Sequence, residues 1–104
     1  MCMKDDTLCE FAGMLARMPD ARRMAECLQA LLTPRERRRL ALRWRIVCLL
    51  RSGVRQRDIA RRLGISLCNI TRGSRELQRG PAGFCALVDE YVKKSRNKKK
   101  RKQP

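Results

Sequence analysis

The segment of residues 56–72 constrains the fold of this chain more than any other stretch. It contains a glycine, Gly64, with a small residue, Ala60, four positions before it. Two short helices that cross steeply need a small residue where they touch, and the turn between them needs a residue that tolerates positive φ. Apolar residues that can hold such a pair against a core flank the turn at Ile59, Leu63, Ile65 and Ile70. The pattern predicts a helix-turn-helix over about residues 55–79.

The remainder of the chain also predicts helices. No stretch shows a sustained two-residue alternation, and aromatic residues make up only 4% of the chain, so the usual signals of strands are missing. Asp5 or Asp6 can cap a first helix, and Asp20 follows Pro19 at the start of a second. Thr33 and Glu36 flank a proline in the pattern of a capping box. We therefore predict an all-α domain over residues 1–92.

The chain is strongly basic, with 26 Lys and Arg, 10 Asp and Glu, and a formal net charge of +16. Eight basic residues and no acidic ones lie within residues 93–102, so half of the excess charge is in that segment. We expect residues 93–104 to form a disordered basic tail that adds sequence-independent affinity for phosphates, although solubility is an alternative role. Because residues 1–92 are basic as well, a polyanion is the expected partner, with nucleic acid ahead of an anionic membrane surface.

The helix-turn-helix and the charge together predict binding to double-stranded DNA, against the alternative of a helical hairpin with solvated basic residues. In such a motif the start of the second helix meets base edges, while basic side chains contact phosphates. Ser66 can cap that helix, Asn69 could read adenine, and Leu67 or Cys68 could contact a thymine methyl group. The predicted DNA-binding residues are Gln56, Arg57, Arg61, Ser66, Leu67, Cys68, Asn69 and Thr71.

Several functional classes lack support in the sequence. There is no histidine, and no two of the six cysteines have C-x-x-C spacing, so we expect no metal site and free thiols. A redox role for Cys68 would require a lowered thiol pKa. No catalytic constellation or Gly-rich phosphate loop is present, which argues against an enzyme. Because neither a signal peptide nor an apolar run of about 20 residues is found, we expect a cytoplasmic, nucleoid-associated protein without a membrane partner.

The run I-T-R-G-S at residues 70–74, at the end of the helix-turn-helix segment of residues 56–72, resembles the tryptophan operon repressor family. Four further stretches agree in order with that family, and the similarity covers roughly residues 24–94. They are L-L-T-P-x-E-R at residues 31–37, R-W-R-I-V at 43–47, L-L-R at 49–51 and Q-R at 56–57. The resemblance implies a six-helix fold, an intertwined homodimer and two reading heads that reach successive major grooves.

The resemblance also implies a ligand, L-tryptophan, acting as co-repressor in a slot between the third and fifth helices. Arg43 and Arg72 would sandwich the indole ring, and Arg72 would hold the carboxylate, which suits the stacking and forked geometry of guanidinium groups. Gly73 would leave room for the ring. The partner subunit would offer backbone carbonyls to the ligand's amino group from Ala30, Leu32 and Thr33. The implied function is repression of genes for tryptophan biosynthesis or uptake.

The chain departs from the family pattern at several positions. Glu76 replaces a small hydroxyl residue near the ligand's amino group, where a carboxylate could pair with the ammonium or could exclude the ligand. Ala60 replaces a lysine, and the turn before the reading head is one residue shorter. If Glu76 excludes the ligand, the alternative is a charge-driven regulator that binds DNA constitutively. An RNA-associated protein is a third reading, disfavoured because the deep groove of duplex RNA does not admit a helix.

Overall fold

The computed structural model describes the backbone of residues 6–102 and the side chains of residues 6–96. Within this part of the chain there are six α-helices and no strands, which confirms the predicted all-α fold. The chain divides into two compact units, Met1–Arg38 and Arg39–Pro104, which are described separately below. The helices are α1 (Asp6–Ala16), α2 (Ala21–Leu31), α3 (Pro34–Arg51), α4 (Gln56–Leu63), α5 (Leu67–Arg79) and α6 (Ala82–Lys102).

Local side-chain signals set the starts of α2 and α3, as predicted. The Asp20 carboxylate accepts a hydrogen bond of 2.8 Å from the Arg23 N–H at the start of α2. At the start of α3, the Thr33 N–H donates to Glu36 Oε1 at 2.8 Å, and the Glu36 N–H donates to Thr33 Oγ1 at 3.2 Å. These reciprocal bonds satisfy backbone donors that the helix itself leaves unpaired. Helix α1 begins at Asp6, and the alternative cap Asp5 lies outside the described residues.

In the described part of the unit Met1–Arg38, residues 6–38, the helices carry apolar side chains, but none of these side chains is buried. Neither α1 nor α2 has a residue in the buried class, and Met14 and Leu31 are 60% and 63% exposed. A helix with one apolar face ordinarily buries that face against another element. The apolar side chains of α1 and α2 are therefore much more exposed to solvent than the side chains of a hydrophobic core.

The unit Arg39–Pro104 has two clusters of buried side chains. The first joins α3, α4 and α5 through Ile46, Ile59 and Ile70, each at most 2% exposed. The second joins α3 to α6, and its buried members are Val47, Val88 and Val92. Because α3 contributes to both clusters, it supports the helix-turn-helix on one side and α6 on the other.

Two further contacts connect α3 to α6. The rings of Trp44 and Tyr91 meet edge to face, with centroids 5.5 Å apart. Near the end of α3, the Arg51 guanidinium donates two hydrogen bonds to the Asp89 carboxylate, with Nη2 to Oδ2 at 3.1 Å. The hydrogen bond from Arg51 lowers the pKa of Asp89, and the same pairing raises the pKa of Arg51.

Helix α6 is longer than the sequence analysis predicted. The sequence predicts a disordered tail from residue 93, but the backbone of α6 stays helical to Lys102. Residues 93–102 contain neither proline nor glycine and are mostly lysine and arginine, which have good helix propensity. The division of the chain at residue 92 into a domain and a tail stays a prediction.

The cysteines agree with the prediction of free thiols at four positions and contradict it at one. Cys27, Cys48, Cys68 and Cys85 are free, whereas Cys9 is disulfide-bonded. Spacing along the chain does not reveal which thiols a fold brings together, so the sequence could not predict this bond. Burial raises the pKa of the Cys48 thiol, which therefore behaves as a small apolar residue. Within the described residues, no cluster of side chains suits a metal ion, and no helix is long and apolar enough to cross a membrane.

Candidate nucleic-acid interface and ligand cavity

The turn between α4 and α5 has the backbone geometry that the sequence predicted. Gly64 ends α4 in the left-handed region, with φ 64° and ψ 40°. This conformation favours glycine because it strains a residue with a Cβ. After the turn, the Ile65 N–H donates to the Ala60 carbonyl at 3.2 Å, which fixes the chain as it leaves α4. The two helices on either side of Gly64 therefore form the predicted helix-turn-helix.

Helix α5 lies very close to α3 at Gly73. A Cβ built on this glycine would lie 3.1 Å from Cγ2 of Ile46 and 3.3 Å from Cγ1 of Val47. Both neighbours are β-branched and buried, so neither can move aside easily. The resemblance assigned Gly73 to the ligand slot, and the structure adds a packing requirement at the same position.

All eight predicted DNA-binding residues lie exposed on α4, on α5 or immediately before α5. Leu67 is 53% exposed at the first position of α5, so this large apolar side chain is available to a partner. The Thr71 hydroxyl donates to the Leu67 carbonyl at 2.9 Å and can therefore only accept a hydrogen bond from another group. These positions are compatible with DNA contact, which stays a prediction for each residue.

Ser66 does not cap α5 in the way that the sequence predicted. Its backbone is extended, with φ −75° and ψ 154°, as expected at a position directly before a helix. Its hydroxyl, however, makes no capping hydrogen bond. The backbone conformation of a cap follows from the turn, whereas the capping bond also requires a particular side-chain rotamer, which the residue type alone does not determine.

A cavity of about 620 Å³ lies between α3 and α5, and one residue near the start of α6, Phe84, also lines it. All of its lining residues belong to the unit Arg39–Pro104. Four predicted ligand-binding residues are among them, namely Arg43, Arg72, Gly73 and Glu76. The other lining residues are Arg39, Leu40, Leu42, Trp44, Ile46, Val47, Asn69 and Phe84.

The other three predicted ligand-binding residues belong to the unit Met1–Arg38. Ala30 lies in α2, and Leu32 and Thr33 follow that helix. The Thr33 carbonyl accepts a hydrogen bond from the Arg37 N–H at 2.9 Å, which leaves it one further acceptor site. The contribution of these residues to a ligand site stays a prediction.

The cavity contains charged groups of both signs that are not paired with one another. Three guanidinium groups, those of Arg39, Arg43 and Arg72, line it together with one carboxylate, that of Glu76. Among residues 6–96, none of these four side chains takes part in an ion pair or a hydrogen bond. All four are solvent-exposed, so they can bind a ligand without first breaking an internal contact.

Four further residues contribute charged, amide or aromatic groups to the cavity and were not predicted as ligand-binding residues, although Asn69 was predicted as a DNA contact. Arg39 lies four residues before Arg43, and Asn69 lies three before Arg72, so helical spacing could have indicated both. Trp44 and Phe84 provide aromatic surface from α3 and α6. Phe84 belongs to a different helix from the other lining residues, so only the packing of α6 shows that it belongs here.

Comparison with known proteins places these features in a family. The family model described as "Trp repressor protein" matches residues 6–92. The protein "Trp operon repressor homolog" of Pasteurella multocida (strain Pm70) is 44% identical over 68 residues, which are 64% of this chain and 67% of the relative. A protein of the same name from Actinobacillus succinogenes is 46% identical over 68 residues, with the same coverage. No solved structure matches this chain significantly. The chain therefore belongs to the Trp repressor family.

Proposed function

We propose that this chain is a DNA-binding transcriptional repressor that requires L-tryptophan as co-repressor. The observation that carries the proposal is the cavity between α3 and α5, where unpaired charges of both signs lie beside aromatic rings. The names of the relatives support regulation of a trp operon, and we propose genes of tryptophan biosynthesis or uptake as targets. Membership of a regulator family also argues against a catalytic role.

An aromatic amino acid zwitterion suits the chemistry of the cavity. Its carboxylate can pair with the fork of Arg72, its ring can stack on the Arg43 and Arg72 guanidinium planes, and its ammonium can pair with Glu76. A volume of about 620 Å³ lies within the usual range for small-molecule sites. We propose that Glu76 is a ligand for the ammonium rather than an obstacle, because its carboxylate has no other partner among residues 6–96.

Helix α5 can couple ligand binding to DNA binding, because it belongs to both proposed sites. Helix α5 forms one wall of the cavity through Arg72 and Gly73, and it carries exposed residues of the predicted DNA interface. A ligand that contacts both α3 and α5 favours the orientations of α5 in which those contacts form. Tryptophan can increase DNA affinity only to the extent that it binds the DNA-competent orientation more tightly than the others.

The proposed DNA interface combines phosphate and base contacts. Exposed arginines of α4, Arg57 and Arg61, can pair with phosphates, which sets register without reading sequence. Residues at the start of α5 can enter the major groove and contact base edges. The basic segment of residues 93–102 adds charge, and we propose that it strengthens binding to all sequences alike.

We propose that the functional species is a homodimer. Helices α1 and α2 leave apolar side chains such as Met14 and Leu31 largely exposed within one chain. A second copy of the chain can cover such surface, and a two-fold axis also supplies two reading heads for a palindromic operator. In this arrangement the partner subunit would supply the backbone carbonyls of Ala30, Leu32 and Thr33 to the ligand site.

The test is binding of a labelled palindromic duplex by fluorescence anisotropy, at fixed moderate salt, with and without saturating L-tryptophan. We expect tryptophan to tighten binding to the palindrome by at least about tenfold and to leave a scrambled duplex nearly unchanged. Equal affinity for both duplexes, with no effect of tryptophan, would contradict the proposal and indicate constitutive, charge-driven binding.

The role of Glu76 is tested by comparing two ligands that differ in the ammonium group. We expect Glu76→Gln to weaken L-tryptophan binding by about tenfold, because a charge-assisted hydrogen bond is lost. Indole-3-propionate lacks the ammonium, so its affinity should change little. The control is Glu90→Gln, which removes an exposed carboxylate of α6 that does not line the cavity. If Glu76→Gln strengthens tryptophan binding, Glu76 is an obstacle and not a ligand.

A further inference from the structure

Asn69 holds an unusual position, because it belongs both to the cavity wall and to the predicted DNA interface. It is the third residue of α5, within the first turn of the helix that is expected to meet base edges. It also lines the cavity together with Arg72 and Gly73. These two residues lie three and four positions further along the helix, so all three share one face of α5.

The neighbours of Asn69 do not share this double position. Leu67, Cys68 and Thr71 do not line the cavity; they line an adjoining surface depression on α5 that shares Arg72 and Glu76 with it. Among the eight predicted DNA-binding residues, Asn69 alone lines the cavity. It is therefore the one predicted DNA contact that a ligand in the cavity can touch directly.

The side chain of Asn69 is available to bind other molecules. It is exposed, and it makes no hydrogen bond within residues 6–96, in contrast to the nearby Thr71, whose hydroxyl is bonded to a backbone carbonyl. A carboxamide carries two N–H donors and one carbonyl acceptor, so its two ends can bind different partners at once. Without a ligand, nothing in the described structure restricts its rotamer by hydrogen bonding.

We propose that Asn69 is a coupling residue, whose amide binds the ligand in the cavity with one end and the DNA with the other. This inference rests on the proposed function, since it takes an aromatic amino acid as the ligand. Binding of the ligand restricts the amide to one rotamer before DNA binds. The conformational entropy of this side chain is then lost on ligand binding, and DNA binding no longer includes that loss. Asn69 thereby makes part of the DNA affinity conditional on the ligand.

The test measures a ratio, the dissociation constant for the palindromic duplex without L-tryptophan divided by that at saturating L-tryptophan. Because the ligand is saturating, a loss of ligand affinity that is equal for the free and the DNA-bound protein does not alter the ratio, and only a change in the coupling between the two sites does. We expect Asn69→Ala to lower the ratio by about 3- to 10-fold relative to the wild type. The matched variant is Leu67→Ala, two residues away and off the cavity wall, which should weaken DNA binding equally in both states and preserve the ratio. Thermal melting confirms that both variants fold, as expected for exposed positions.

The outcomes separate this inference from the proposed function. A wild-type ratio above ten with the same ratio in Asn69→Ala would overturn the inference alone, because Asn69 would then be only a cavity residue or only a DNA contact. An equal decrease of the ratio in Leu67→Ala would also overturn it, since the effect would belong to the whole helix start. A wild-type ratio of one would overturn the proposed function, and the inference with it.

Discussion

The two units of this chain differ in how they bury apolar residues. In Arg39–Pro104, isoleucines from α3, α4 and α5 form a core that excludes water almost completely. In Met1–Arg38, α1 and α2 carry apolar residues at helical spacing but bury none of them. The helix-turn-helix is therefore supported by its own chain, whereas the N-terminal helices leave apolar side chains such as Met14 and Leu31 exposed within one chain.

The largest loss of stability is expected when a buried side chain is truncated in the core formed by α3, α4 and α5. Ile70 is fully buried, so Ile70→Ala should lower the free energy of unfolding by about 2–5 kcal/mol, through lost apolar burial and the cavity left behind. Urea denaturation followed by circular dichroism measures the change. A loss below about 1 kcal/mol would show that this core is not the main support of α5.

A smaller effect is expected where α5 lies close to α3. Gly73→Ala places a methyl group against Ile46 and Val47, and such overpacking typically costs about 1–3 kcal/mol. Gly83→Ala is the control, because a Cβ there meets no atom within 4 Å. We expect Gly73→Ala to be less stable than Gly83→Ala by about that amount in the same urea titration. Equal stabilities would mean that the helices can separate at no cost.

The N-terminal helices are tested with a pair of leucines of similar exposure. Leu31 in α2 is 63% exposed and Leu67 in α5 is 53% exposed. If the protein were a monomer, replacing either leucine by alanine should leave the free energy of unfolding nearly unchanged. If a second copy covers α2, Leu31→Ala should cost about 1–2 kcal/mol while Leu67→Ala remains within about 0.5 kcal/mol.

Protein concentration provides the internal check for this pair. The unfolding midpoint of the wild type should rise with concentration if a dimer forms, and Leu31→Ala should be most destabilised in dilute samples. Neutral behaviour of Leu31→Ala at every concentration would mean that its side chain stays solvated in the functional species.

The smallest effect concerns the ion pair between α3 and α6. Because Arg51 lowers the pKa of Asp89, the folded chain holds the carboxylate proton less tightly than the unfolded chain does. The contribution of the pair is therefore present above about pH 3.8, the ordinary value, and is lost as the pH falls through the lowered value. The stability difference between wild type and Asp89→Asn should be constant from about pH 5 to 8 and shrink below pH 4. An undiminished difference in acid would show that the effect of the substitution does not arise from the charge of Asp89.

Much of the fold could be predicted because its signals are local. Thr33 and Glu36 form the predicted capping box, Asp20 caps α2, and Gly64 takes the left-handed turn conformation. The exceptions involve choices that residue type leaves open. Ser66 occupies the cap position without the capping bond, and α6 continues beyond Tyr91.

The cavity was predictable only in part. Arg43, Arg72, Gly73 and Glu76 were identified through the resemblance, and in the structure all four line one cavity. The ion pair of Arg51 with Asp89 joins residues 38 positions apart, and no local pattern indicates such a pair. The disulfide at Cys9 escaped prediction for a similar reason, because spacing along the chain does not reveal spatial pairing.

The helical class, most helix starts, the turn at Gly64 and the basic charge could be read from the amino-acid sequence. These features depend on hydrogen bonds and backbone preferences within a few residues, so one stretch of chain contains the whole cause. The close approach of Gly73 to Ile46 and Val47, and the place of Asn69 beside Arg72 in the cavity wall, became visible only in the folded structure. Such properties depend on distances between atoms of different helices, and these distances exist only after apolar burial has packed the helices together.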